Sequence, residues 1–257
     1  MGVSANMADD YILESRGLTK EFKGFTAVRG VALRVRRGDI HALIGPNGAG
    51  KTTCFNLFTN FLAPTAGQIF FNGRDITGVG PAAIARTGLV RSFQISAVLP
   101  HLTVLENVRI AIQRRGGHSF DFWRSERSLE SLNAKAAEYI DAVGLKGYES
   151  HVAVALPYGR KRALEIATTL ALEPEMMLLD EPTAGMPHDD VERITALIKR
   201  VSANRSVLMV EHNLKVVSTL SNRITVLARG EVIAEGDYAA VSTHPQVVEA
   251  YLGSAHA

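Results

Sequence analysis

The stretch Ile40-His-Ala-Leu-Ile44, followed without interruption by Gly45-Pro-Asn-Gly-Ala-Gly-Lys-Thr-Thr53, decides the fold. The first five residues read as a buried strand, and the segment from about Lys51 to Phe61 reads as a helix. Between them Gly45, Pro46, Asn47, Gly48, Ala49, Gly50, Lys51 and Thr52 fit the spacing G-x-x-x-x-G-K-[ST] without deviation. The pattern has a physical basis. Glycines let the backbone turn and bring its N–H groups up to phosphate oxygens, Lys51 neutralises charge there, and Thr52 offers a hydroxyl to Mg²⁺. The positive end of the helix dipole adds to the same field. A glycine-rich turn that contains Lys-Thr by chance is the bland alternative. Strand before and helix after is the context the chemistry requires, and it favours nucleotide binding.

Outward from this stretch the chain alternates between strand and helix. Upstream, the alternation of Val31, Leu33 and Val35 predicts a half-buried strand. Residues 1–10, MGVSANMADD, are small and polar and are expected to form a flexible N-terminus. Downstream, Gln68-Ile-Phe-Phe-Asn72 predicts a strand ending in the turn Asn72-Gly73. From about Pro100 to Leu172 the character changes to helix. Thr103 as N-cap and Glu106 three residues on form a capping box, and a second helix over about Ser125–Val143 closes on Gly144. The loop between them carries Phe120, Phe122 and Trp123, read as buried in the helical block rather than as a docking patch. After Glu175 strands return as Met176-Met-Leu-Leu-Asp180, Ser206-Val-Leu-Met-Val210 and a pair within Arg223–Gly236. Alternation on both sides of a helical block implies an α/β fold, a parallel-sheet core with a helical insertion.

Composition narrows the function. The 257 residues are 46% hydrophobic and 21% charged, ordinary for a globular chain. A net charge of +2 leaves no basic footprint for nucleic acid. One cysteine, Cys54, excludes an internal disulfide, fits a reducing compartment, and reads as a small buried residue rather than a nucleophile. No apolar run approaches the ~20 residues needed to cross a bilayer, and the N-terminus lacks the features of a secretion signal. The chain is expected in the cytosol, with any membrane connection made through a partner.

Two carboxylates end the strand Met176–Asp180. Alone, Asp180-Glu181 would be a solvated acidic turn. With a phosphate loop upstream, Asp180 is the candidate Mg²⁺ partner and Glu181 the candidate base for the attacking water. His212, and Gln94 in Arg91-Ser-Phe-Gln94, mean little singly. In the order phosphate loop, Gln94, Leu156-Pro-Tyr-Gly159, Asp180-Glu-Pro-Thr183 and His212, the segments resemble the ABC ATPase family from about Ile12 to Gly253. The resemblance implies a P-loop NTPase (RecA-like) parallel-sheet core with an antiparallel β subdomain and a helical subdomain inserted near residues 96–170, all within one domain over 11–257. It implies ATP and Mg²⁺ as cofactors. Thr53 completes the loop, and Gln94 joins Thr52 and Asp180 at the metal and meets the attacking water. His212 contacts the γ-phosphate, and Phe22 stacks on adenine with Val28 beside it. Pro157, Tyr158, Gly159 and Arg160 occupy the signature position facing a second subunit's nucleotide, and Ala184-Gly-Met-Pro187 the D-loop.

Within that family the segments RSFQISAVLPHLTVLENV, LPYGRKRALEIA, RITVLARGEVIAEG and VVEAYLG are similar to ATPase subunits of branched-chain amino acid importers (the LivG type). The implied partners are a second ABC ATPase subunit in a heterodimer or homodimer, two membrane permease subunits and an extracytoplasmic solute-binding protein, at the cytoplasmic face of the membrane. A DNA- or ribosome-directed ABC ATPase would need a coiled-coil insertion or a second ATPase domain. An ATPase of lipid or lipopolysaccharide export is the alternative, but its signature usually reads Leu-Ser-Gly-Gly. Here Pro157 stands for the serine and Arg160 for the usual glutamine, which weakens one composite site. The acids of Pro187-His-Asp-Asp190 are read as complementing a helix N-terminus rather than binding metal. The cluster Arg160-Lys-Arg162 is read as facing nucleotide phosphate or solvent.

Overall fold

The computed structural model describes residues 10–92, 98–115 and 126–253, so Gln94, Phe120, Phe122 and Trp123 lie outside the described residues. Its strands are β1 (Tyr11–Phe22), β2 (Phe25–Val31), β3 (Arg34–Arg36), β4 (Ile40–Ile44), β5 (Ala66–Phe71), β6 (Arg74–Asp75), β7 (Leu89–Ser92), β8 (Met176–Asp180), β9 (Ser206–Val210), β10 (Arg223–Ala228) and β11 (Glu231–Gly236). The helices are α1 (Lys51–Phe58), α2 (Pro81–Arg86), α3 (Val104–Arg115), α4 (Glu126–Ala142), α5 (Tyr158–Leu170), α6 (His188–Val201), α7 (Leu214–Leu220), α8 (Tyr238–Ser242) and α9 (Pro245–Gly253).

Strand β4 lies inside a sheet of order β11-β10-β4-β9-β8-β7, parallel except for the β10–β11 hairpin. Every residue of β4, β8 and β9 is buried. Their near-continuous apolar runs follow from that, because both faces of such a sheet are covered. Leu43, Leu178, Leu208 and Val210 face a core shared with α1 and the antiparallel strands. Ala42, Ile44, Met177, Leu179, Val207 and Met209 face a core shared with α3 to α7. The fold is thus an α/β P-loop type with its parallel sheet between two hydrophobic layers.

The second sheet is antiparallel, in order β2-β1-β5-β6 with β3 also on β1. Val31, Leu33 and Val35 are all buried, but the chain breaks between β2 and β3 rather than forming one strand. Ser15 bridges the break: its hydroxyl donates to the Val31 carbonyl at 3.1 Å and accepts the Leu33 N–H at 3.0 Å. Helix α1 stops at Phe58, three residues before the expected Phe61. Asn60 enters the left-handed region at φ 50° and donates its amide to the Ile76 and Val79 carbonyls, which ends the helix. The capping box is present, with Thr103 N–H donating to Glu106 at 2.8 Å and Glu106 N–H to the Thr103 hydroxyl at 3.2 Å. Cys54 is wholly buried, and burial pushes its thiol up to about 12, as befits a core residue.

His41 sits in β4 with no exposure, its Nε2 2.8 Å from the Thr225 hydroxyl of β10. Burial lowers its pKa to about 4 from the ordinary 6.5, with the Glu235 charge working the other way. The unfolded chain binds the proton first, so this group's contribution is complete above pH 6.5 and is lost as pH falls through about 4. His41→Leu should therefore flatten the fall in urea stability between pH 7 and pH 4. A slope unchanged from wild type would assign that fall to other groups.

Candidate nucleotide site

The phosphate loop is pinned from behind. Gly45 has φ 149°, and a Cβ there would lie 2.0 Å from the Leu227 carbonyl oxygen. At Gly50, φ 103°, it would meet the Ala27 oxygen at 2.5 Å. No other residue allows these two approaches. Gly230, in the β10–β11 turn, donates to the Ala49 carbonyl at 3.0 Å and accepts from Arg29 N–H at 2.8 Å. Helix α9 adds a third support, since Tyr251 is hydrogen-bonded to the Gly45 backbone while burial raises its pKa. In front, Asn47, Gly48 and Thr52 are exposed and Thr53 is half-buried. Lys51 is curled inside, donating to the carbonyls of Gly45 at 2.7 Å and Pro46 at 2.9 Å. Burial lowers the Lys51 pKa, and the nearby Glu181 and Asp180 charges push it back up. A cation held only by carbonyls, inside an open loop of amides, suits phosphate oxygens.

The acidic residues lie at the carboxyl end of β8. Asp180 forms an ion pair with Arg91 of β7 at 2.5 Å. Glu181 takes φ 45° and donates its N–H to the Val210 carbonyl at 2.9 Å. Its carboxylate meets His212 Nε2 at 2.6 Å. Glu211 braces the backbone beside this pair, at Thr183 and at His212. One of its oxygens accepts the Thr183 N–H at 3.0 Å and the Thr183 hydroxyl, and the other accepts the N–H groups of His212 at 2.8 Å and Asn213 at 3.1 Å. Among the described residues no three His, Cys, Asp or Glu side chains converge on a metal position, and Asp189 and Asp190 lie in the first turn of α6.

The signature residues lie apart, at the start of α5. Pro157 and Tyr158 are exposed, and the Tyr158 hydroxyl donates to the Ala184 carbonyl at 3.1 Å. Gly159 faces the Asp190 carboxylate, and Arg160 lies over the Tyr148 ring at 4.2 Å. The cluster reading needs correcting at Arg162. Its guanidinium is buried, pairs with Glu165, and donates to the carbonyls of Asp180 at 3.0 Å and Pro182 at 3.2 Å. It braces the Asp180–Pro182 turn instead of facing phosphate. Phe22 is 43% exposed at the end of β1, with the Lys20 ammonium 5.2 Å from its ring. Val28 also needs correcting: it is wholly buried behind Gly50, so it supports the loop rather than lining an adenine face.

The structure brings Lys51, Asp180, Glu181 and His212 to one end of the parallel sheet, and with them Arg91, Glu211 and Tyr251, to which the sequence motifs assign no role. Glu211→Gln should expose what Glu211 does. An amide can accept only on its oxygen, so two of the four donors would face its NH₂ group. With each buried unsatisfied group costing about 1–3 kcal/mol, thermal unfolding should come at least several degrees earlier, with slower turnover from a loosened Glu181–His212 pair. Unchanged melting would show that these bonds carry no net stability.

Comparison with known proteins agrees with this geometry. Residues 28–184 match the ABC transporter family, and residues 231–257 match the branched-chain amino acid ATP-binding cassette transporter family. The chain is 38% identical over 254 residues to the high-affinity branched-chain amino acid transport ATP-binding protein BraF of Pseudomonas aeruginosa, spanning 95% of this chain and 98% of that protein. With the corresponding protein LivG of Escherichia coli it shares 36% over 253 residues, again 95% and 98%. A crystal structure of a nucleotide-free ATP-binding cassette from an ABC transporter superposes with a TM-score of 0.84 at 32% identity, covering 94% of this chain and 98% of that one. A cassette in its ADP conformation gives 0.83 at 30% identity, covering 95% and 100%. These relatives do not favour the lipid-export alternative. Identity of this extent over nearly the whole length shows that the chain belongs to the ABC transporter family, as an ATPase subunit grouped with the branched-chain amino acid transport ATP-binding proteins.

Proposed function

We propose that the chain hydrolyses MgATP to drive import of branched-chain or related amino acids. The observation that carries this reading is the Glu181–His212 contact of 2.6 Å, its backbone braced by buried Glu211, close to the Lys51 ammonium. In this reading the free backbone N–H groups of the loop between Asn47 and Thr53 and the Lys51 ammonium hold the β- and γ-phosphates. Thr52, Asp180 and Gln94 would hold Mg²⁺, which when bound supplies charge neutralisation at the phosphates. One carboxylate and a hydroxyl suit a cation that arrives with phosphate oxygens, because Mg²⁺ is usually held by one or two carboxylates plus phosphates. Glu181 takes a proton from the attacking water as its oxygen bonds to the γ-phosphorus. The bond from that phosphorus to the bridging oxygen breaks, leaving ADP and inorganic phosphate. His212 fixes Glu181 and reaches toward the γ-phosphate, and the exposed ring of Phe22 offers adenine a stacking face.

The working unit in this proposal is residues 11–257, with the helical block near 96–170 as the arm beside the signature. Its partners are a second ABC ATPase subunit, two permease subunits and an extracytoplasmic solute-binding protein, and nucleic acid is not among them. Among the described residues no helix is long and apolar enough to cross a membrane. The permeases therefore supply attachment, at the cytoplasmic face. Reconstituted with them, its ATPase should rise when the binding protein is loaded with a branched-chain amino acid. Glu181→Gln should retain ATP binding while phosphate release falls by about 10²–10⁴-fold, whereas Lys51→Ala should lose binding itself. Normal phosphate release from the Glu181→Gln protein would remove the base from this mechanism.

The signature supports a heterodimer. Pro157 brings neither hydroxyl nor N–H to the start of α5, the Tyr158 hydroxyl is already bonded to Ala184, and Arg160 is stacked on Tyr148. A hydrogen bond to a charged group contributes about 1.5–3 kcal/mol, one to two decades in rate. The homodimer should accordingly be a slow ATPase, and Pro157→Ser with Arg160→Gln should speed it by about tenfold or more. A brisk homodimer indifferent to the double substitution would argue for two equivalent sites.

A further inference from the structure

Arg91 stands three residues before Gln94 and is given no role by the motifs that mark the site, yet it bridges three elements there. It lies in β7 with a side chain only 11% exposed. Nη2 donates to Asp180 Oδ2 of β8 at 2.5 Å, and Nη1 donates to Asn56 Oδ1 of α1 at 2.6 Å. The guanidinium carbon is 5.7 Å from the centre of the Phe55 ring. Asp180 is 9% exposed, and a carboxylate so buried needs a counter-charge. The Lys51 ammonium is also near, but its hydrogen bonds go to the Gly45 and Pro46 carbonyls. Arg91 is therefore the direct partner of the carboxylate assigned above to the metal.

We propose that Arg91 is a positioning residue that holds Asp180 in the nucleotide-free subunit and competes with the divalent cation for its carboxylate. A guanidinium and a divalent cation repel at such range, and the low-dielectric surroundings strengthen the repulsion. Metal alone then binds weakly. The phosphates of ATP bring the negative charge that offsets the repulsion, so the metal settles only with nucleotide. Asn56 keeps Arg91 anchored when Asp180 turns to the metal. Arg91 thereby makes metal binding conditional on nucleotide. The inference rests on Asp180 as a metal ligand, and its test separates the two ideas.

Mn²⁺ binding would be measured by electron paramagnetic resonance, with and without a non-hydrolysable ATP analogue, on wild type, R91M, R91K and D180N. Arg91→Met should tighten Mn²⁺ binding in the absence of nucleotide by about tenfold or more, the scale of removing one like charge beside a partly buried cation. Arg91→Lys keeps the charge but not the two-armed bridge, and should tighten it by a smaller factor. Analogue affinity without metal should be unchanged in the lysine protein. Should the methionine protein fail to fold, the lysine protein carries the test. Mn²⁺ affinity equal to or weaker than wild type in the Arg91 variants, with D180N impaired, would overturn the competition and leave the Asp180 assignment standing. D180N binding Mn²⁺ like wild type would overturn that assignment, and the inference with it.

Discussion

Two backbone contacts organise the nucleotide end of this molecule: Gly45 against the Leu227 carbonyl and Gly50 against the Ala27 carbonyl. Each is closer than a Cβ permits, so each fixes where a strand end lies relative to the loop. The first ties the loop to β10 of the parallel sheet, and the second ties it to β2 of the antiparallel sheet. Because the loop is held at both ends from behind, its amides stay open at the front, where Asn47 and Gly48 face solvent. Lys51 can then turn inward without collapsing the loop onto the sheet.

Around this frame the buried charges among the described residues are paired. Arg91 meets Asp180, Arg162 meets Glu165 and two carbonyls, and Glu211 accepts four donors. Buried groups of this kind contribute little when complete and cost a great deal when broken. Their effect is geometric. They hold the 180–183 turn from two sides, α5 through Arg162 and the end of β9 through Glu211. The shape of the turn, with Glu181 in the left-handed region, is over-determined by its neighbours.

The residues that could be read from sequence are those whose role is local. The loop carries its own spacing, β8 and β9 announce themselves as apolar runs, and Thr103 and Glu106 are three residues apart. The residues that could not be read act across long separations. Arg91 finds Asp180 across 89 positions, and Thr183 finds Glu211 across 28. An arginine or glutamate in isolation carries no sign of such a partner. Strand β1 was hidden for another reason. Its buried and exposed residues do not alternate, because its register shifts against β2, β3 and β5 and each irregularity interrupts the period of two. The family resemblance implies roles for Gln94 and Phe22 that spacing alone does not, and it sets Val28 beside adenine, a side chain that the core absorbs.

The order of strands has a consequence in time. Strand β4 leaves the ribosome early, but its two neighbours in the sheet are β9 and β10, and the Ile40 N–H finds its acceptor, the Asn222 side chain, 182 residues later. At about 5–20 residues per second, that is a delay of roughly ten to forty seconds. The antiparallel strands β1, β2, β3 and β5 can pair meanwhile, since their partners are already made. For that interval a nascent chain presents a folded β layer beside an apolar strand with both edges unpaired, ahead of a finished phosphate loop. Newly made subunits are thus most exposed to aggregation just before they can first hold a nucleotide.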